Sequence, residues 1–470
     1  MRIWILACTA AVLLAIIATG FVPFMGSFTG ASHPAAYVPD DALLIFHARS
    51  INGIRDAFLG IGTQNADPAR ELIGKPINVP QLDGVDPRAA VIQFVGPDLQ
   101  QHWLAPVFDK GAFEDAFETE RQNLKLRDPS YVARGAYAHL SASRDTPRSS
   151  SDHPAVHALA EYPVGTYLRL RDPGVIKKFL GYPFLPGFGA DLPTPVLRVL
   201  LENLQDLLVA QADQAPAQTR AALILDAKLK PGLLMRAAAV AKRVDPAGLV
   251  RALPGTSQIF FAAALDDAGW NSLGLLGIGD AAIAFAVVRT IDTKRPYALA
   301  VAVRPAPGGS SAQALHDRLL PEDQTTVDEN GAPVRVRDLV TPPTQILHIL
   351  RKRSRTSDAP GIKLAGAVTN GTLLICVGAR AVPVLRQAIA GVSGQAGNSA
   401  AASQQVGRHG GMLKSGHVAV GLVTHTAMKW LGDGMPKFLP QSIGQPGALT
   451  FTLDVDAANG RARADLRLSR

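Results

Sequence analysis

Cysteine is almost absent from this 470-residue chain: Cys8 stands in an N-terminal apolar run and Cys376 in the strand-like stretch 372–378. A bridge between two such places inside one domain is excluded, and so is a disulfide-stapled scaffold. Charge is scarce as well. Charged residues make up 18% against 47% hydrophobic, a balance that excludes a disordered chain. The 43 glycines follow no period, which excludes a collagen-like one. No Gly-x-Ser-x-Gly elbow, Walker loop or His-Glu-x-x-His occurs, so none of those motifs announces hydrolytic, nucleotide or zinc chemistry. The net charge of +8 is modest for this length, and nucleic acid is not an expected partner.

Between Arg2 and Asp40 there is no formal charge at all. The apolar run Ile3 to Met25 would reach about 34 Å as a helix, enough for a bilayer core of about 30 Å. It reads either as an uncleaved signal-anchor or as a cleaved signal peptide, with cut points after Gly20 or Ala31. Arg2 favours a cytoplasmic N-terminus, so the remaining chain is expected to face outward. The expected location is the bacterial inner membrane with a periplasmic domain, or the soluble periplasm if the segment is removed.

The remaining sequence carries one ordered set of patterns twice. ALLIFHA (42–48) is matched by SQIFFAA (257–263), AAVIQFVG (89–96) by AAIAFAVV (281–288), and HWLAPVF (102–108) by YALAVAV (297–303). Helical patterns follow at 111–124 and 310–320. RGAYAHLSASR (134–144) then aligns with NGTLLICVGAR (370–380), and 165–181 with 416–432. Hairpins at 221–243 and 448–470 close both copies. Residues 1–35 are therefore read as signal segment and linker, 36–246 as a first repeat and 247–470 as a second. The first copy has extra residues at 63–86 and a helical pattern over 195–209; the second has 327–361, with a basic helix. Stretches 141–153 and 392–412 read as flexible loops.

In the last hairpin Leu449, Phe451, Leu453 and Val455 alternate with Thr450, Thr452, Asp454 and Asp456 around an Asn459-Gly460 turn signal. A sheet with one wet face is typically antiparallel. The expected fold class is α+β: two tandem copies of a mainly antiparallel sheet, helices on one face, after a transmembrane or signal segment.

Candidate chemistry is thin. Gly277-x-Gly279-x-x-Ala282 matches a loose dinucleotide fingerprint, but helix precedes the glycines and strand follows, the reverse of that motif's order. A helix C-terminal glycine turn fits better. His153 and His157 stand four apart, as metal ligands on one helical turn would, without a third ligand beyond Asp152. His47 is aligned with Ala262 and His139 with Ile375, which reads as core. Cys376, amid Leu374, Ile375 and Val377, also reads as core. Leu197, Leu200, Leu204 and Leu208 share one face of the 195–209 pattern and could line an apolar groove. Arg351, Lys352, Arg353 and Arg355 end a helical pattern, where they complement its dipole or meet anionic lipid headgroups.

The opening YVPDDALLIFHARS and the strand–helix stretch TLLICVGARAVPVLRQAI resemble uncharacterised exported bacterial proteins of unknown function. The resemblance implies export and no activity. The sequence thus leads to a membrane-tethered, non-enzymatic envelope protein that binds a partner protein or an apolar ligand. An assembly factor without ligand and an enzyme without a recognisable motif stand as alternatives. No cofactor, metal or catalytic residue is expected.

Overall fold

The computed structural model describes residues 34–59, 69, 73, 77–97, 99–123, 130–134, 136–141, 153–169, 203–211, 219–272, 275, 277–290, 297–321, 325–329, 332–339, 361–393, 402–408, 413–424, 427 and 448–469. The N-terminal apolar run and the basic run 351–355 lie outside these.

In the first half the strands are β1 (Leu44–Ala48), β2 (Val91–Val95), β3 (Gln101–Pro106), β4 (Ser130–Arg134) and β5 (Tyr137–Ser141). β6 (Val164–Arg169), β7 (Leu204–Gln211) and β8 (Thr219–Leu229) complete it. In the second half come β9 (Ser257–Leu265), β10 (Ala281–Arg289), β11 (Tyr297–Pro305), β12 (Thr325–Glu329) and β13 (Ala332–Asp338). β14 (Lys363–Thr369), β15 (Thr372–Gly378), β16 (Ala419–Thr424), β17 (Ala448–Asp456) and β18 (Arg461–Ser469) follow. Every ladder among the described residues is antiparallel.

Pairing runs β4, β5, β3, β2, β1, β6, β7, β8 in the first half. In the second it runs β14, β15, β11, β10, β9, β16, β17, β18. The two orders agree strand for strand. β13 and β12 extend the second order past β14. β8 pairs with β18 from Arg461↔Lys228 to Ser469↔Thr219, so both halves share one continuous sheet.

Helices lie on both faces of the first half, not on one. Leu44 and Phe46 share a core with Phe113 and Phe117 of the helix Lys110–Asn123. Ile45, between them, points the other way, to Val156 and Leu159 of the helix Pro154–Ala160. Strands covered twice lose the polar-out alternation, and β1, β2, β3 and β5 are buried along their whole length. The extra stretch 63–86 supplies Ala69, Ile73, Val79 and Leu82 to the same core as Phe46. In the second half Ala262, Ala264, Ala282, Ala284, Ala286, Ala300 and Ala302 cluster with Leu385 and Ile389 of the helix Ala381–Val392. Alanines let helix backbone approach the sheet closely.

Three further expectations need correction. The stretch 221–243 is not a hairpin: β8 ends at Leu229 and the helix Leu233–Val244 follows, because β8 finds its partners in β7 and β18. Leu204–Gln211 is a strand, not the end of a helix over 195–209. Its apolar residues run on as Leu207, Leu208 and Val209, and ladders to β6 and β8 on either side decide a pattern that periodicity leaves ambiguous. The stretch 392–412 contains a helix, Ala402–Arg408. Its buried Ala402 and Val406 stand four apart, and the Ala402 N–H donates to the Leu253 carbonyl at 3.1 Å. The Asn459-Gly460 signal does mark the β17–β18 turn, with Gly460 at φ +60° and the Asp456 carboxylate accepting from the Ala458 and Asn459 N–H groups.

Candidate functional site

Where the halves meet, the sheet has one apolar and one polar face. Leu453, Ala462, Ala464 and Leu466 pack into the first half's core, together with Leu225 and Ala227 of β8. The helix Leu233–Val244 carries the chain from β8 onward. Its Leu234 and Met235 pack against that core, whereas Ala237, Ala238 and Ala241 belong to the second-half core.

Alternation therefore sends Thr450, Thr452, Asp454, Arg463, Asp465 and Arg467 to the opposite face. There Asp454 stands opposite Arg463, which stands opposite Asp226 of β8. In the next row Asp206, Lys228, Arg461 and Asp456 are neighbours in turn. Opposite charges across strands stabilise a sheet by roughly 0.2–1 kcal/mol per pair.

A shallow groove of about 60 Å³ lies on this face and is lined by Lys414, His417, Thr450, Thr452, Asp454, Asp465 and Arg467. His417 is buried, and its Nδ1 lies 2.5 Å from Asp454 Oδ1. The Thr450 hydroxyl donates to the Arg467 carbonyl at 3.4 Å. Tyr162, just past the helix Pro154–Ala160, feels the charges of Arg463, Asp226 and Asp465; burial, the largest influence, raises its pKa. The floor thus offers carboxylates, guanidinium groups, an ammonium and hydroxyls within one trough. Such a set suits a ligand carrying charges of both signs, and a carboxylate-held imidazole can also take a proton.

The residues singled out in the sequence do not gather here. Leu204 and Leu208 are buried in different cores, on opposite faces of the sheet, and so line no common groove. Leu197 and Leu200, like Arg351, Lys352, Arg353 and Arg355, lie outside the described residues. His153 is buried and caps its helix, accepting from the Ala155 N–H at 3.1 Å, while His157 is exposed. Among the described residues no group of three or more His, Cys, Asp or Glu side chains could hold a metal ion. Gly277 and Gly279, at φ +69° and +75°, form the turn between the helix Asp267–Ser272 and β10. Burial pushes the Cys376 thiol up, away from the reactive thiolate.

His47, His102 and His139 are buried on one face, with His102 on β3, between the strands that carry the other two. The His102 and His139 rings stand 5.4 Å apart, and Phe94 stacks on His102 at 4.8 Å. Burial, with His102 and Arg134 adding to it, pushes His139 down to about 3. Sequence reasoning missed both the His102–His139 pair and the His417–Asp454 pair, because each joins residues 37 positions apart in the chain. No family model, curated protein or solved structure matches this chain.

Proposed function

We propose that this chain is a non-enzymatic protein of the bacterial cell envelope, tethered to the inner membrane by its N-terminal segment, built from two tandem copies of one α+β unit, and binding a partner at the seam between them. The observation that carries the binding role is the charged trough around His417, Asp454, Asp465 and Arg467, set where the two orders of strands join. Its lining favours a polar partner over the apolar ligand suggested by the leucine pattern. Tethering rests on the apolar run after Arg2, and contact of Arg351, Lys352, Arg353 and Arg355 with anionic headgroups belongs to the same proposal.

One observation supports a second reading, an enzyme without a familiar motif. The His417–Asp454 pair lies beside two threonine hydroxyls, the kind of grouping that can move a proton. A single set of cells separates the readings. A photoactivatable residue at exposed position Lys414 should cross-link a partner in intact cells, in the carbonate-resistant membrane fraction, and Arg467→Glu should abolish the adduct. Absence of an adduct, with ester, amide or phosphoester hydrolysis lost in His417→Ala, would favour the enzyme. Recovery of a shortened soluble chain would end the tether.

A further inference from the structure

Five Asp-Pro bonds occur in the chain, after Asp67, Asp86, Asp128, Asp172 and Asp245. Those after Asp86 and Asp245 lie among the described residues. Asp245–Pro246 joins the helix Leu233–Val244 to the short helix Pro246–Leu249, where the first half gives way to the second.

At both sites the carbonyl that enters the bond is held alike. The Ala89 N–H donates to the Asp86 carbonyl at 3.3 Å, and the Gly248 N–H to that of Asp245 at 3.1 Å. The carboxylates differ. Asp86 Oδ1 accepts from the Arg88 N–H at 2.9 Å. Asp245 Oδ1 is buried and has no hydrogen-bond partner. The backbone differs as well: Asp245 has φ +41°, in the left-handed region where a helix is usually ended by glycine or asparagine, and Asp86 is not in that region. An aspartate held at a steric cost, with one oxygen denied a donor, marks a functional use rather than a structural one. Gly248 leaves room beside it. A Cβ there would stand 2.7 Å from Asp245 Oδ2 and 3.7 Å from Arg304 Nη1, so carboxylate and guanidinium flank one glycine.

We propose that the chain cuts itself between Asp245 and Pro246. The Asp245 carboxyl oxygen bonds to the residue's own carbonyl carbon and closes a five-membered cyclic anhydride. The carbon–nitrogen bond breaks, and the carboxyl proton passes to the proline nitrogen, which leaves as a secondary amine. Water then opens the anhydride and restores Asp245 as a chain end with two carboxyl groups. No oxidant or reductant takes part. Nucleophile and target belong to one residue, so no second group has to be brought up. The Gly248 N–H already polarises the carbonyl, and the positive charge of Arg304 nearby favours the oxyanion that forms on it. Pro246 carries no N–H, so its release costs the following helix no hydrogen bond. β8 of the first piece keeps its ladder to β18 of the second, and residues 1–245 and 246–470 stay together as a two-chain protein.

The test follows the full chain, folded in detergent and mildly acidic buffer, over days by denaturing electrophoresis and mass spectrometry. Pieces 1–245 and 246–470 should accumulate, the second beginning at Pro246, and should co-elute until denatured. The Asp86–Pro87 bond should stay intact. Asp245→Gly, which lacks the nucleophile and suits a positive φ, should keep the fold and stay whole. In concentrated urea at the same pH all five Asp-Pro bonds should be cut at similar rates, each at least tenfold more slowly than Asp245–Pro246 in the folded chain. A folded chain that stays whole overturns the proposal. So does a cut at Asp245–Pro246 no faster than in urea, which would be the acid lability of any Asp-Pro bond. Pieces that persist in Asp245→Gly overturn it too, and assign the cut to a contaminating protease.

Discussion

Phe46 in the first half is 1% exposed, and its ladder neighbours are Gln93 and Thr166. Phe261, in the middle of β9 in the second half, is half-buried between Phe285 and Gly421. One strand order thus carries two distributions of bulk. The first half seals both faces with large side chains, adding residues from 63–86. The second concentrates alanine under its helices and leaves aromatic bulk half-buried on the other face, where a small cluster of Val287, Leu299, Ile362 and Val377 forms. Backbone pairing fixes the order of strands, and the side chains decide independently which face is sealed.

The comparison breaks most visibly at these two phenylalanines. Phe46→Ala should lose about 3–5 kcal/mol of stability, the range for a fully buried aromatic, and Phe261→Ala about half as much. Urea titration of each variant measures this. Equal losses would mean that the second half is sealed as tightly as the first.

Acid should separate the halves next. In the unfolded chain His139 protonates near pH 6.5, and in the fold burial holds it down to about 3. The unfolded state binds the extra proton between those values, so stability is full above pH 6.5 and falls as pH drops toward 3. From pH 7 to 4.5 the loss should be about 2–3 kcal/mol. His139→Leu should remove that part of the slope in urea midpoints measured against pH. An unaltered slope would show that the group is hydrated or paired.

The smallest effect concerns polar groups. Gln93 is fully buried and neither amide atom has a hydrogen-bond partner; Trp103 Nε1, on the strand beside it, and Thr166 Oγ1 are in the same state. An unpaired buried amide is unfavourable, so Gln93→Leu should gain about 1 kcal/mol. A destabilised variant would reveal a partner for Gln93 in solution.

Much of the scaffold was legible before the fold was known. The strand-like patterns at 42–48, 89–96, 102–108, 257–263, 281–288 and 297–303 hold β1, β2, β3, β9, β10 and β11, and alternation read the polar face of β17 and β18 correctly. Alternation is a local consequence of the two-residue strand period, so it survives any tertiary setting. The helical reading of 195–209 failed at Leu204–Gln211 because a run of leucines suits either period, and neighbouring strands settle the choice.

The sequence by itself determined composition, the apolar N-terminal run, the paired order of segments and the turn at Gly460, all of which depend on residues near one another in the chain. Only the tertiary structure decided that β8 meets β18, that Asp454 reaches His417 and that His102 meets His139. These contacts join residues tens to hundreds of positions apart. They arise when strands burying their apolar faces find their register, and no local pattern encodes which neighbour that will be.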